Sequence, residues 1–176
     1  IQKAHIANKD FIWEWHDDKG RLAFVTYRVN ASDGSKKIFP LTYTLEEDKS
    51  IKINRSWSGW DTDLPLYNLP KILGEDKTIL ITEGEKTVVA AEKIYPNFVS
   101  TTFAKGVGRW YAADYTPLKN RTVYLWPDND NVGFRNFLKL ANHLKNKMNC
   151  RVLMIKVPET FPGKWDLADE LPKGFD

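Results

Sequence analysis

Unbroken apolar runs in this chain stop abruptly at acidic residues. Thr78-Ile79-Leu80-Ile81-Thr82 is apolar and β-branched, and reads as a buried strand. It stops at Glu83-Gly84. Lys86 to Tyr95 then offers good helix formers, with an apolar face at Val88, Ala91 and Tyr95. Strand, acid, glycine, helix predicts a parallel α/β crossover with a carboxylate at the carboxyl end of its strand. That end is where ligands bind in open α/β sheets. Arg121 to Trp126 is a second such run, ending in Pro127-Asp128-Asn129-Asp130-Asn131-Val132-Gly133. A helix follows, with Phe134, Phe137, Leu138, Ala141, Leu144 and Met148 expected on one face. Phe98 to Thr102 reads as the strand between the two acidic ones, and Arg151 to Val157 as the fourth.

The N-terminal part has a different period. Phe11-Ile12-Trp13-Glu14-Trp15-His16 alternates apolar and polar, and Asp17-Asp18-Lys19-Gly20 is a turn. Arg21 to Asn30 is the return strand, Ser32-Asp33-Gly34-Ser35 a second turn, and Ile38 to Leu45 the next strand. Glu46 to Lys49 makes a third turn before the alternating run Ile51 to Trp57. Leu64 to Leu73 is a connector with a helical turn near its end. The expected fold is α/β: a mostly parallel sheet of about four strands with helices on both faces. Residues 1–76 form a small antiparallel unit and residues 77–176 the main domain.

Asp128 and Asp130 stand two apart on an extended segment, so both can turn toward one point. If their strand neighbours the one before Glu83, three carboxylates converge. Two like charges about 4 Å apart repel by about 4 kcal/mol at an effective dielectric near 20. A hard divalent cation, Mg2+ or Mn2+, would offset this repulsion, because it takes oxygen ligands and completes its shell with water and phosphate.

Glu83-Gly84 after one apolar strand and Asp128-x-Asp130-x-x-Gly133 after another resemble the Toprim domain. Within it, Glu83-Gly84-Glu85-Lys86, Trp126-Pro127-Asp128-x-Asp130 and Trp165-Asp166-Leu167-Ala168-Asp169 look most like the Toprim region of phage- and plasmid-type primases and primase-helicases. The resemblance covers about Ile79 to Leu171 and is loose before that. It implies a metal-dependent nucleotidyltransferase with Glu83, Asp128 and Asp130 as catalytic and metal-holding residues, and Asp166 and Asp169 as further metal holders. It implies single-stranded DNA, nucleoside triphosphates and a helicase segment or partner. Many primases carry an aspartate four residues after the glutamate. Thr87 stands there, which puts a second metal near Glu83 in doubt.

The 176 residues carry a net charge of +3, too small to establish a nucleic-acid partner. The distribution is more telling. Residues 1–76 hold 11 basic and 12 acidic residues, whereas residues 77–176 hold 15 and 11, so the acidic site lies in the basic part. Lys105 and Arg109 flank a two-glycine loop, Ala104-Lys105-Gly106-Val107-Gly108-Arg109, where the backbone can approach a ligand. Lys86 and Arg135 open their helices, and Arg55 sits before Trp57; all five are candidates for nucleotide or nucleic-acid contacts. Trp13, Trp15, Trp57 and Trp60 read mainly as packing for the small β unit, with base stacking as the alternative.

Cys150 is alone, so no disulfide forms within the chain and no zinc finger fits; it reads as a small buried residue. His5, His16 and His143 lack metal-ligand spacing. No membrane span or signal peptide is visible, and a cytoplasmic protein is expected. A start at Ile1 without methionine suggests a piece of something longer. No P-loop is present, so no helicase motor is expected in this piece. Two other classes stay open: a binding module without activity of its own, and a Toprim nuclease using the same acids.

Overall fold

A computed structural model describes residues 11–30 and 36–175. The turn expected at Ser32-Asp33-Gly34-Ser35 and His5 lie outside them. Four N-terminal strands, β1 (Ile12–His16), β2 (Leu22–Asn30), β3 (Lys36–Leu45) and β4 (Ile51–Asn54), form an antiparallel sheet in chain order. A short helix, α1 (Leu69–Gly74), leads to the second sheet. There β5 (Thr78–Thr82), α2 (Glu85–Ile94), β6 (Phe98–Thr101), β7 (Thr122–Trp126), α3 (Asn131–Met148) and β8 (Arg151–Met154) follow, with two short 3-10 turns between β6 and β7. The strand order is β6-β5-β7-β8 and every pairing is parallel.

The sequence left the strand order open, and the sheet meets the condition for the acids to converge: the Phe98 strand, between the two acidic strands in sequence, lies outside them in the sheet, so β5 and β7 are direct neighbours. Thr82 pairs with Trp126, so both chains leave the sheet at the same level. This register brings Glu83 and Asp128 to one end.

The two sheet faces are covered differently. Ile79, Ile81, Val123 and Leu125 pack with Phe137, Leu140 and Leu144 of α3. Leu80 points the other way, toward Ala91 of α2 and toward Val157, Phe161, Trp165 and Leu167 of the C-terminal segment. Helices thus cover both faces, as expected. On α3 the buried stripe runs through Gly133, Phe137, Leu140, Ala141 and Leu144. Phe134 and Leu138, expected on that face, are 43% and 44% exposed. At about 100° per residue the stripe is centred nearer Gly133 and Leu140, leaving Phe134 at its margin and Leu138 outside it. Cys150 is buried, its thiol donating to the Leu118 carbonyl at 3.0 Å.

The antiparallel sheet shares a core with the rest of the chain. Trp15 stacks on Phe24 at 5.1 Å, and Trp57 and Trp60 each meet Phe24 edge-on at 5.2 Å. Leu64, Ala104 and Ala112 complete this cluster, so these tryptophans pack rather than project. No helix among the described residues is long and apolar enough to cross a membrane.

Candidate active site

The first turn of α3 is built around Glu83. Asp130 caps the helix, its Oδ1 accepting the Gly133 amide at 2.7 Å. Gly133 has no side chain, and Glu83 occupies the vacated space: a β-carbon there would stand 1.9 Å from Glu83 Oε1. The same oxygen accepts the Asp128 amide at 3.0 Å. One backbone N–H and one glycine therefore seat the β5 carboxylate directly against the β7 exit.

The late acids reach this place because their turn is tied to the β7–α3 loop. The Asn129 amide donates to the Trp165 carbonyl at 3.0 Å, and the Lys164 amide to the Asn129 carbonyl at 2.8 Å. Asp166 and Asp169 follow on a tight turn, Asp169 Oδ2 accepting the Asp166 amide at 3.1 Å. Lys86 of α2 reaches Asp169 at 3.4 Å.

These carboxylates repel. Burial, with Asp130 and Asp166 adding to it, pushes Glu83 up to about 7 despite the Asp128 amide bond. Burial and the charges of Glu83, Asp166, Asp130 and Asp169 push Asp128 up to about 8. All five sequence-predicted acids thus share one electrostatic neighbourhood.

Beside them opens a cleft of about 640 Å³ between the two sheets, lined by Thr26, Trp57, Glu83, Glu85, Lys105 and Arg109 among others. Its cations differ. Lys105 lies on a left-handed backbone, φ 67°, and its side chain is only 8% exposed. Its ammonium donates to the Trp60 carbonyl, 5.2 Å over the Trp57 ring and 3.8 Å from Asp61. Arg109 is exposed, its guanidinium over Tyr111 at 5.3 Å. Arg55 and Arg135 are exposed and line no part of this cleft.

No family model matches this sequence, and no curated protein matches it. Solved structures do. The primase fragment of the bacteriophage T7 primase-helicase matches at 15% identity and TM-score 0.53, over 84% of this chain and 52% of that one. The DnaG catalytic core matches at 18% and 0.52, over 89% and 46%. The Aquifex aeolicus primase, with its zinc-binding and RNA polymerase domains, matches at 17% and 0.53, over 92% and 38%.

The fold is shared with part of these primase structures.

The likeness concerns the fold, and the chain spans about half or less of each of these structures. The Toprim resemblance of the two acidic turns agrees with it. In this primase-type fold, no three His, Cys, Asp or Glu side chains among the described residues form a ready-made metal cluster. The donor set nonetheless fits Mg2+ or Mn2+: all-oxygen, mutually repelling, and near enough to a cleft for water and phosphate to complete the shell. Magnesium ordinarily keeps several waters and uses one or two carboxylates, so a three-residue cage is not required.

Three residues of the site escaped the sequence reading. Gly133 was read as part of a motif, not as the seat of Glu83. Glu85 lies in the Glu-Gly-Glu motif but is 6% exposed, and burial pushes its carboxyl up. Thr26, which binds it, lies 59 residues away, and no local signal links them.

Proposed function

We propose that this chain is the nucleotidyl-transfer core of a primase, joining ribonucleotides on single-stranded DNA within a phage- or plasmid-type replication protein. The observation that carries the reading is the Glu83–Asp128 pair. Two repelling carboxylates are held at the carboxyl ends of neighbouring parallel strands, beside a cleft with an exposed arginine, in a primase-core fold.

Asp128, Glu83 and Asp130 would hold Mg2+ or Mn2+, with Asp166 and Asp169 behind them. When bound, the ion supplies charge neutralisation and orientation for the triphosphate. If Glu83 does not hold the ion, it would instead receive the proton of the attacking hydroxyl. Arg109 meets the phosphates of the nucleotide or template. Lys86 orients Asp169 and borders the same end of the sheet. A helicase segment or partner would supply unwound template. Such a protein acts in the cytoplasm.

Incubation of the full-length gene product with single-stranded DNA, four ribonucleotides and Mn2+ tests the reading. Short RNA products, lost in Asp128→Asn, are expected. Digestion of the DNA would assign a nuclease instead. Binding without chemistry would assign a recognition module.

A further inference from the structure

Glu85 begins α2 with its carboxylate turned into the protein rather than into solvent. Its Oε1 accepts the Thr26 hydroxyl at 2.6 Å. Thr26 Oγ1 in turn accepts the Trp15 indole N–H at 2.9 Å. All three residues are buried. The indole takes up an acceptor direction on the hydroxyl, which leaves the Thr26 proton aimed at Glu85. Trp15 is itself braced, stacked on Phe24 and edge-on to Tyr67 at 5.2 Å. The antiparallel sheet therefore holds the first residue of α2 through a donor of fixed direction.

What is held matters because of what stands next to it. Glu85 is two residues beyond Glu83, across Gly84, whose backbone is extended and where an added β-carbon would meet nothing within 4 Å. The Gly84 carbonyl accepts the Val88 amide at 3.0 Å, so the turn moves with the first turn of α2, and what anchors Glu85 anchors the turn. Thr26, Glu85 and Glu83 all line the same cleft. Burying a carboxylate and a hydroxyl adds little net stability over apolar residues of similar shape, but it fixes geometry.

We propose that Thr26 is a positioning residue for the acidic site: through Glu85 it anchors the Glu83-Gly84-Glu85 turn against the antiparallel sheet and so sets where Glu83 stands. Glu85 is thereby a brace and not a metal ligand. The identity of what enters the cleft rests on the function proposed above; the positioning does not.

The Asp128 amide reports the position of Glu83 directly, because it donates to Glu83 Oε1. Hydrogen exchange of this amide is followed in the parent chain, Thr26→Val, Thr26→Ser and Glu85→Gln, with Leu125 in β7 as internal reference. In Thr26→Val, protection at Asp128 falls about ten-fold while Leu125 changes less than about two-fold. Thr26→Ser and Glu85→Gln, which keep a donor and an acceptor, behave like the parent, and Glu85→Gln binds Mn2+ as the parent does. If Thr26→Val does not fold, Trp15→Phe gives the same test, with a smaller loss at Asp128 because the hydroxyl is freed but not removed. Equal losses at Asp128 and Leu125 would reduce Thr26 to a purely structural role and overturn the proposal. Unchanged protection at Asp128 would overturn it too, and loss of Mn2+ binding in Glu85→Gln would make Glu85 a ligand. Binding of oligo-dT by the parent is measured separately: its failure contradicts the proposed function, while the amide result still decides the positioning.

Discussion

Gly133 and Glu83 share one space: a β-carbon on the glycine would lie 1.9 Å from Glu83 Oε1. Alanine is the better helix former by about 1 kcal/mol, so Gly133→Ala should help α3 locally. It must, however, drive the Glu83 carboxylate from its seat and break its bond to the Asp128 amide. We expect a net loss of about 1 kcal/mol, from a charged hydrogen bond partly offset by helix propensity. Activity should fall about 100-fold, the scale associated with a misplaced catalytic group. Thermal melting and primer synthesis check the two parts; a variant active at the parent rate would detach Glu83's seat from function.

The acidic pair predicts a pH dependence. Glu83 titrates near 7 and Asp128 near 8 in the folded chain, whereas unfolded carboxyls titrate at about 4. The folded state holds these protons more tightly, so their stabilising contribution is complete below about pH 4 and is lost as pH rises through 7 and 8. In chelator, the melting temperature should decline from about pH 4 to about pH 8 and level off above that, and Asp128→Asn should flatten the decline. Mn2+ should raise it most at the alkaline end. An unchanged slope in Asp128→Asn would mean that the pair is not the source.

Lys105 and Arg109 should separate. Lys105 is buried and its ammonium holds the Trp60 carbonyl. Lys105→Ala should therefore cost about 1.5–3 kcal/mol, the usual range for a hydrogen bond from a charged group. Arg109 is exposed. Arg109→Ala should leave melting unchanged, weaken oligo-dT binding, and reduce the salt slope by about one. Calorimetry and salt titrations distinguish them. Unaltered oligo-dT affinity in Arg109→Ala would remove the cleft from the nucleic-acid path.

The strands that carry the site were legible because their apolar runs end where the chemistry begins. Ile79-Leu80-Ile81 stops at Glu83-Gly84, and Val123-Tyr124-Leu125 at Pro127-Asp128. Alternation likewise gave the antiparallel meander, most cleanly in β1, where Trp13 and Trp15 are buried and Glu14 is exposed. What stayed hidden is non-local. Nothing in the sequence orders β6 outside β5, because register is set by pairing across the sheet. The small tilt of α3's buried stripe, which exposes Phe134 and Leu138, depends on what Gly133 packs against. Lys105 looked like a ligand contact from its glycine loop, yet its ammonium is held by a carbonyl 45 residues away. The Thr26–Glu85 bond joins the antiparallel sheet to α2 across a still longer separation.

The central claim is that Glu83 acts in chemistry and not in folding, and Glu83→Gln tests it most directly. The amide is nearly isosteric, and its carbonyl oxygen can still accept the Asp128 N–H. Two quantities are measured on the variant: melting temperature in chelator at about pH 8, where the parent carries most of its carboxylate repulsion, and ribonucleotide incorporation on single-stranded DNA by the full-length gene product. The prediction is a melting temperature equal to or above the parent's, with incorporation abolished. Primer synthesis at the parent rate would remove Glu83 from the mechanism, and a variant that does not fold would make it a structural residue instead.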